Sequence, residues 1–233
     1  MPVFDHLDFW RDDHARTGAE NMAVDQLLME RIGAYPMLRI YRWREPTVTF
    51  GYFLTLQDAQ DAFPECSTRP LTYVRRWTGG GIVDHRIDVT YTLVIPRSHA
   101  LSVERGAESY RLIHQALADA FKKLGEHVRI TAIDEGDGGL ACFTNPVAYD
   151  LTNTMGKKLA GAGQRRSRYG LLHQGSLVTG VDAEKLGSEL ASCLAPNVHN
   201  WLPEKYFAEK DFDQDVATLA ADRYATDAWL RKK

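Results

Sequence analysis

A run of β-forming residues, Val-Thr-Tyr-Thr-Leu-Val-Ile at positions 89–95, is the clearest strand in the chain. Valine, threonine, tyrosine and isoleucine are enriched in strands, and Pro96 ends the run because proline has no N–H for the ladder. Shorter segments of the same character predict strands over 37–43, 47–52, 71–76, 128–133, 149–152, 158–161 and 170–179. The chain must therefore be built around a sheet.

Three segments carry apolar residues at helical spacing. They predict helices over 19–32, 108–124 and 183–194, and the stretch 202–230 reads as helical in pieces. Because strands cluster between the helices without regular alternation, we expect an α+β fold with a mixed or antiparallel sheet. The length of 233 residues predicts one domain, 1–233, in which 202–233 forms a helical C-terminal extension.

Composition argues against several classes of protein. The net charge is −3, so neither nucleic acid nor a membrane surface is predicted as a partner. No apolar run is long enough for a membrane span, and the start lacks an apolar signal core. The three cysteines, Cys66, Cys142 and Cys193, are odd in number and far apart, which argues against a disulfide framework and a clustered zinc site. We expect no bound metal and a reducing, cytoplasmic location.

The segment RRWTGGGIVDH, residues 75–85, places three consecutive glycines between two predicted strands. Glycine lets a ligand approach backbone N–H groups closely and adopts unusual φ values. Arg75 and Arg76 add charge, so the loop could cradle a phosphate or carboxylate. The alternative is a tight glycine turn with solvated arginines. It is not a P-loop, because the lysine of that motif is absent and a strand follows.

The segment GKKLAGAGQRR, residues 156–166, sets lysines beside small residues. A partly buried lysine can donate to a carbonyl or to a developing oxyanion. From 150 to 170 there are five basic residues and one acidic residue, which predicts an anionic ligand or an acidic partner surface. The arginines that would dock such a partner are Arg165, Arg166 and Arg168. The alternative is a cationic hairpin turn.

Taken in order, these segments resemble the lipoate–protein ligase and octanoyltransferase family. RRWTGGGIVDH followed by VTYTLVIP is similar to its arginine–glycine motif, and GKKLAGAGQRR followed by LLHQGSLV is similar to its second motif. Asn-Met-Ala-Val-Asp at 21–25 resembles the N-terminal helix signature, and 38–53 resembles the first strand pair. The resemblance runs from about Asn21 to Val178.

The resemblance implies the catalytic-domain fold of biotin and lipoate protein ligases, with a mixed, largely antiparallel sheet and packed helices. It implies that Lys158 binds and polarises the acyl carbonyl. Residues implied to line the acyl or adenylate site are Arg75, Arg76, Thr78, Gly79, Gly80, Gly81, His85, Gly161 and His173. Trp77, Gly163 and Gln174 depart from the family pattern, and His173 has the alternative of a structural histidine. No tightly bound cofactor is implied, and ATP with Mg²⁺ would be needed only by a ligase.

Cys142 bears on the choice of reaction. Its segment, ACFTNPVAYDL at 141–151, resembles the Cys-Phe…Pro…Tyr-acid-Leu stretch of the cysteine-dependent octanoyltransferases. A thiolate attacks thioesters well, and a nearby cation such as Lys158 would lower its pKa. The alternative is a small buried cysteine, which is how we interpret Cys66 and Cys193.

The predicted function is transfer of an octanoyl or lipoyl group to a lysine of a lipoyl domain or a glycine-cleavage H-type protein. The donor would be an acyl carrier protein or a lipoylated protein, and the route a Cys142 thioester. The alternative is an ATP-dependent lipoate–protein ligase with a separate accessory subunit, since only 55 residues (233 minus 178) follow Val178. A protein that binds without turnover is a third possibility, against which intact Lys158 and Cys142 argue.

Overall fold

Two sheets organise the chain. The computed structural model describes residues 2–64, 70–132, 147–203 and 211–232. The strands in chain order are β1 (His6–Arg16), β2 (Met37–Trp43), β3 (Thr47–Phe50), β4 (Thr72–Arg75), β5 (Ile82–Asp84), β6 (Val89–Pro96), β7 (Val128–Ile130), β8 (Leu151–Asn153), β9 (Lys158–Arg166), β10 (Gly170–Leu177) and β11 (Asn197–Asn200). Cys66, Cys142 and the loop predicted at 135–139 lie outside the described residues.

The large sheet has eight strands in the order β11-β1-β2-β6-β10-β9-β8-β7, and the small one has the order β4-β3-β5. In the large sheet β1 pairs in parallel with β11 and β2, and the remaining neighbours pair antiparallel. The predicted α+β class with a mixed, largely antiparallel sheet is therefore confirmed. The strand predicted at 89–95 is β6, at the centre of this sheet.

Helices cover both faces of the large sheet. They are α1 (Gly18–Glu30), α2 (Leu56–Ala62), α3 (Gly106–Lys123), α4 (Ala183–Leu194), α5 (Phe212–Leu219) and α6 (Asp227–Leu230), with a 3-10 turn at Ala100–Ser102 and a π-helical turn at Ala220–Tyr224. On one face α3 and α4 pack against Leu93 and Leu171. On the other face α1 and α5 pack against Val94 and Leu172. Each fully buried side chain of this size contributes about 1.5–3 kcal/mol.

Helix α1 begins with a capping box. The Thr17 hydroxyl accepts from the Glu20 N–H, and the Glu20 carboxylate accepts from the Thr17 N–H. This arrangement satisfies donors that the first helical turn leaves unpaired. The helix is buried along almost its whole length, between the large sheet and the C-terminal helices.

Strand β1 was not predicted from the sequence, because polar and charged residues interrupt its apolar pattern. Asp12 and Arg16 are in fact buried, and Asp12 pairs with the fully buried Arg39 of β2 at 2.7 Å. Helix α2 and strand β11 were also missed, since both are short. The strand predicted at 158–161 continues to Arg166 as β9, which contradicts the interpretation as a hairpin turn.

The C-terminal residues are part of the packed core. Phe212, Val216, Tyr224 and Trp229 belong to the apolar cluster that also contains Met22 of α1. The predicted helical pieces are observed as α5 and α6. In the described ranges, no helix combines the length and apolar character that crossing a membrane requires.

Candidate active site

The glycine loop, residues 76–81 between β4 and β5, lies directly against β9. The Gly79 N–H donates to the Gln164 carbonyl at 3.4 Å. A Cβ on Gly163 would lie 2.3 Å from the Gly79 carbonyl oxygen, a distance that no side chain tolerates. The glycine at 163, which departs from the pattern of the resembled family, therefore has a local physical reason. The two motifs found in the sequence meet backbone to backbone.

Arg76 braces the glycine loop from inside. Its guanidinium donates to the carbonyl oxygens of Gly79 at 3.1 Å and Gly81 at 2.8 Å. It also donates to the Thr49 hydroxyl at 2.8 Å. Between the two carbonyls, Gly80 has a φ of +95°, in the region that favours glycine. The loop is thus wrapped around a buried cation.

A polar chain continues from Arg76 to His85. The Thr49 hydroxyl donates to His85 Nε2 at 2.7 Å. His85 Nδ1 then donates to the Asp88 carboxylate at 2.7 Å. The indole of Trp43 stacks on the imidazole with ring centroids 4.1 Å apart. These contacts fix both the tautomer and the plane of the ring.

A narrow cavity runs between the glycine loop, β9 and β10. As the side chains lie, the space inside it that water can enter is about 20 Å³. The predicted residues on its wall are Arg76, Gly80, Gly81, His85 and Gly161. Apolar side chains on the wall are Met22, Tyr41, Trp43 and Val83. The wall also carries the polar side chains of Thr49, Thr90, Gln174 and Ser176, so it combines apolar surface with groups that can orient a ligand.

Thr78 is tied to the sheet through a relay that sequence reasoning missed. Its hydroxyl donates to Gln174 Oε1 at 2.7 Å, and Gln174 Nε2 donates to the Asp25 carboxylate at 2.7 Å. Asp25 is in turn held by Arg39 at 2.7 Å. The N-terminal helix therefore positions the glycine loop through buried polar contacts.

Lys158 lies at the start of β9 in a buried ion pair. Its ammonium is 2.6 Å from the Asp150 carboxylate, and the two side chains are 3% and 0% exposed. The Tyr110 hydroxyl of α3 donates to the same carboxylate at 2.5 Å and accepts from the Ala162 N–H at 2.8 Å. Because Ala162 is on the cavity wall, Tyr110 links the ion pair to the cavity.

A strained corner presents Asp150 to the lysine. Tyr149 has a φ of +72°, a conformation that costs a residue with a Cβ about 1 kcal/mol or more. Its carbonyl accepts from His114 Nδ1 at 2.7 Å, and its N–H donates to the Thr131 carbonyl at 2.7 Å. The Thr131 N–H donates to the Asp150 carbonyl at 2.8 Å. His114 thus acts as a clamp on this corner.

A family model described as the lipoyl protein ligase A/B catalytic domain matches residues 17–219. The chain belongs to this family. Octanoyltransferase LipM of Carboxydothermus hydrogenoformans is 38% identical to it over 186 residues, which cover 77% of this chain and 68% of that protein. Octanoyltransferase LipM of Kyrpidia tusciae is 36% identical over 192 residues, which cover 77% and 69%. The family predicted from the motifs is confirmed.

Solved structures share the fold of this lipoyl protein ligase A/B domain. A putative lipoate protein ligase from T. acidophilum with bound lipoic acid superposes with a TM-score of 0.73 at 16% identity, covering 98% of this chain and all of that one. Lipoate-protein ligase A bound with ATP gives a TM-score of 0.63 at 19% identity, covering 98% of this chain and 99% of that one. At these identities the likeness concerns the fold alone.

Some of the residues predicted for the acyl site line the cavity in the structure, and others lie away from it. Lys158 and His173 are not among the described residues that line the cavity, and both lie towards α3. His173 is buried between the Tyr91 hydroxyl and the Gln164 side chain, each at 3.0 Å. Burial, together with His114 and Arg166 nearby, lowers the pKa of His173 well below 6.5. It crosslinks three strands, so we favour its structural alternative.

Arg75 also has a structural role, which corrects its place among the ligand-binding residues. All five of its N–H donors reach backbone carbonyl oxygens, and its side chain is fully buried. The accepting residues are Tyr52, Leu54, Trp229, Leu230 and Lys232. With every donor engaged, Arg75 has none for a ligand. It anchors the C-terminal residues beside the glycine loop.

The three arginines predicted to dock a partner lie in different surroundings. Arg166 donates to Ser109 at 2.7 Å on α3, and Arg168 donates to the Tyr169 hydroxyl at 2.6 Å. Arg165 lies over the Trp77 ring, 4.4 Å from its centroid. They therefore do not form a single continuous strip.

Cys193 is the one cysteine within the described residues. It is a free, half-buried thiol on α4, and burial raises its pKa. This environment disfavours a nucleophile. Among all the described residues, no cluster of histidine, cysteine, aspartate and glutamate side chains could hold a metal ion.

Gly80→Val is expected to abolish binding of an octanoyl analogue. Its Cβ would lie 3.3 Å from Arg76 Nη2, and the φ of +95° disfavours a β-branched residue. Gly79→Ala is the matched control, because a Cβ there meets nothing within 4 Å. Calorimetry on both folded variants measures the effect. Equal affinity for the two variants would show that the loop is only a turn.

His114→Leu is expected to change the pH dependence of stability. Burial, with a smaller effect of Lys158, lowers the pKa of His114 from 6.5 to about 3. Below pH 6.5 only the unfolded chain takes up this proton, so stability is lost as the pH falls towards the folded value. Between pH 7 and pH 5 this removes about 2 kcal/mol. Urea titrations should show a loss smaller by that amount in the variant, and an identical loss would contradict the assignment.

Proposed function

We propose that this chain transfers an octanoyl group from the thioester of an acyl carrier protein to a lysine of a lipoyl-domain acceptor. The observation that carries the proposal is the packing of the glycine loop on β9. It brings the cavity next to the strand that begins with the buried Lys158–Asp150 pair. The relatives named octanoyltransferase support the transfer of this acyl group.

The acyl chain would occupy the cavity between the glycine loop and β10, with Met22, Tyr41 and Val83 along its sides. Lys158 would donate to the acyl carbonyl oxygen and stabilise the oxyanion that forms there. Asp150 holds the ammonium in place, Tyr110 donates to the Asp150 carboxylate, and His114 holds the backbone beside it through the Tyr149 carbonyl. These three residues therefore act by positioning the lysine.

Two acyl transfers complete the reaction. The Cys142 thiolate attacks the thioester carbonyl, a C–S bond to Cys142 forms, the C–S bond to the carrier breaks, and the carrier leaves as a thiolate. The amine of the acceptor lysine, once deprotonated, then attacks the Cys142 thioester. An amide bond forms, the C–S bond breaks, and the Cys142 thiol is released. Neither step needs ATP, because each begins from a thioester.

Mass spectrometry of the acceptor tests the proposal. The chain is incubated with octanoyl-carrier protein and an apo lipoyl domain, with and without ATP. We expect one octanoyl group on the acceptor lysine in both samples. The competing activity is lipoate–protein ligation through an acyl-adenylate, for which free lipoate and ATP are both required. If the acceptor is modified only when free lipoate and ATP are both supplied, the chain is a ligase and not the proposed transferase.

The proposed acceptor is a class of protein, the lipoyl-domain and H-type proteins, and not one named member. Lipoyl domains and glycine-cleavage H-type proteins both present a lysine, and each is offered in turn with the same donor. A bipartite lipoate protein ligase of Thermoplasma acidophilum has been solved as part of a system with its E2 lipoyl domain. A lipoylated protein is the second donor to be compared, because its amide carbonyl is less reactive than a thioester.

A further inference from the structure

Three cations surround one phenol at the surface beside the glycine loop. Lys232 donates to the Tyr52 hydroxyl, and its ammonium is 4.2 Å from the centre of that ring. Arg165 lies 5.5 Å from the same ring centre. The bond from Lys232, with the charges of Arg165 and Arg223, lowers the pKa of Tyr52. The cations come from β9 and from the C-terminal segment, far apart in sequence.

Aromatic rings hold two of these cations in place. Arg165 lies 4.4 Å and Arg223 5.4 Å from the centre of the Trp77 ring. Arg223 is also 4.0 Å from the centre of the Trp229 ring. Cation–π contact of this kind fixes a guanidinium without using its N–H donors. One donor of each guanidinium is used within the protein, since Arg223 donates to Gln26 Oε1 at 3.0 Å and Arg165 to the Trp77 carbonyl. The other terminal N–H groups are the ones that an anion would bind.

Within the described part of the chain, no carboxylate compensates the charges of this cluster. Within the ranges that the structure describes, no carboxylate forms an ion pair with Arg165, Arg223 or Lys232, although ten other basic residues have such partners. The Nε of Arg165 is buried without a hydrogen-bond partner. Burial and the like charge of Arg223 lower the pKa of Arg165. Like charges that share the rings of Tyr52, Trp77 and Trp229 indicate a site that an anion completes.

Hydrogen bonds connect the cluster to the candidate active site. Arg165 donates to the Trp77 carbonyl at 3.3 Å, one residue before Thr78, and the Tyr52 N–H donates to the Thr78 carbonyl at 2.8 Å. Arg75 holds the carbonyls of the C-terminal residues, which sets Lys232 against Tyr52. An anion bound here would lie beside the glycine loop.

We propose that Tyr52, Arg165, Arg223 and Lys232, packed on Trp77 and Trp229, form a binding site for the phosphate group of the acyl donor's phosphopantetheine arm. The assignment rests on the proposed carrier-protein donor. That donor presents its thioester on an arm that begins at a phosphodiester, and guanidinium groups bind phosphate oxygens strongly. The site would hold the arm while its thioester reaches the cavity.

Binding of 4′-phosphopantetheine to the whole chain tests the site, with Trp77 and Trp229 as fluorescent reporters and calorimetry as the second measurement. We expect Arg165→Gln and Arg223→Gln each to weaken binding by about 10-fold or more, since charge-assisted bonds to phosphate are lost. Arg223→Lys keeps the charge and should bind within about 3-fold of the wild type. Affinity should fall as salt rises.

Arg168→Gln is the matched control, because Arg168 also lies over a tyrosine ring and donates to its hydroxyl, but that ring is Tyr169 and not Tyr52. It should bind like the wild type. Pantetheine without its phosphate should bind poorly, and equal binding would overturn the site. Inorganic phosphate bound as tightly as 4′-phosphopantetheine would overturn the arm as the occupant. So would tight binding of a carrier protein that lacks the arm, which would identify an acidic protein surface instead.

The binding experiment does not require turnover, so it separates this inference from the proposed function. If octanoyl transfer is absent while 4′-phosphopantetheine binds through Arg165 and Arg223, the function is wrong and the site stands. If transfer occurs and the two glutamine variants bind normally, the site is wrong and the function stands.

Discussion

Lys158→Ala is expected to lower octanoyl transfer to the acceptor by at least about 100-fold, the loss that follows removal of one oxyanion donor. The ammonium is buried and held at 2.6 Å by Asp150, so no neighbouring lysine can replace it. Lys157, the adjacent residue, is exposed. Lys157→Ala should therefore keep near wild-type activity, and the rate of acceptor modification by mass spectrometry measures both variants.

The alanine variant also leaves the Asp150 carboxylate buried without its partner, at a cost of about 3–5 kcal/mol in stability. Circular dichroism and urea titration must therefore show that it is folded. Lys158→Arg provides a second variant, because it retains a cation for Asp150 but replaces the compact ammonium with a planar guanidinium. We expect this variant to fold and to remain impaired by at least about 10-fold. Normal rates in both variants would remove Lys158 from the mechanism.

The sequence was sufficient for the family and for most elements, since both depend on local patterns. Helix α4 and strand β2 were predicted with the bounds that the structure has, and the fold brings the two motifs into contact. Glycine runs and a lysine among small residues can be recognised in the sequence, because their chemistry depends on neighbours in the chain.

Residues that act through distant partners were not predictable in this way. Tyr110 and His114 lie on one amphipathic helix, and only the fold brings them to Asp150 and Tyr149. The positive φ of Tyr149 has no signal in the sequence, because tyrosine does not favour that region. Arg75 was assigned to a ligand since arginine beside glycine suggests an anion site, but its donors are taken by carbonyls of residues 52–54 and 229–232.

The cation cluster was not predictable from the sequence either. The basic residues of 150–170 suggested one docking strip, but the structure separates them and joins Arg165 to Arg223 and Lys232 instead. That grouping depends on Arg75 holding the C-terminal carbonyls, a contact across more than 150 positions. Charge counts along the chain predict the sign of a surface, and only the fold determines which charges share a site.

Cys142→Ala is expected to lower octanoyl transfer by at least about 1,000-fold, because the acyl group then has no thiol to receive it. Cys142 lies outside the described residues, so the motivation is the sequence match at 141–151 together with the described residues that follow it. Val147, five positions later, donates to the Asp150 carboxylate at 2.8 Å, and that carboxylate holds Lys158. Cys193→Ala is the matched control, since that thiol is half-buried on α4 and should be dispensable.

The covalent intermediate gives the more direct measurement. With octanoyl-carrier protein and no acceptor, the intact mass of the chain should increase by one octanoyl group. Neutral hydroxylamine should remove it, as expected of a thioester, and peptide mapping should locate it on Cys142. The Cys193→Ala variant should form the same adduct, and the Cys142→Ala variant should form none. The adenylate route predicts the reverse, because there ATP is obligatory and the thiol is not used. A fully active Cys142→Ala variant that depends on ATP would therefore assign this chain to the ligases.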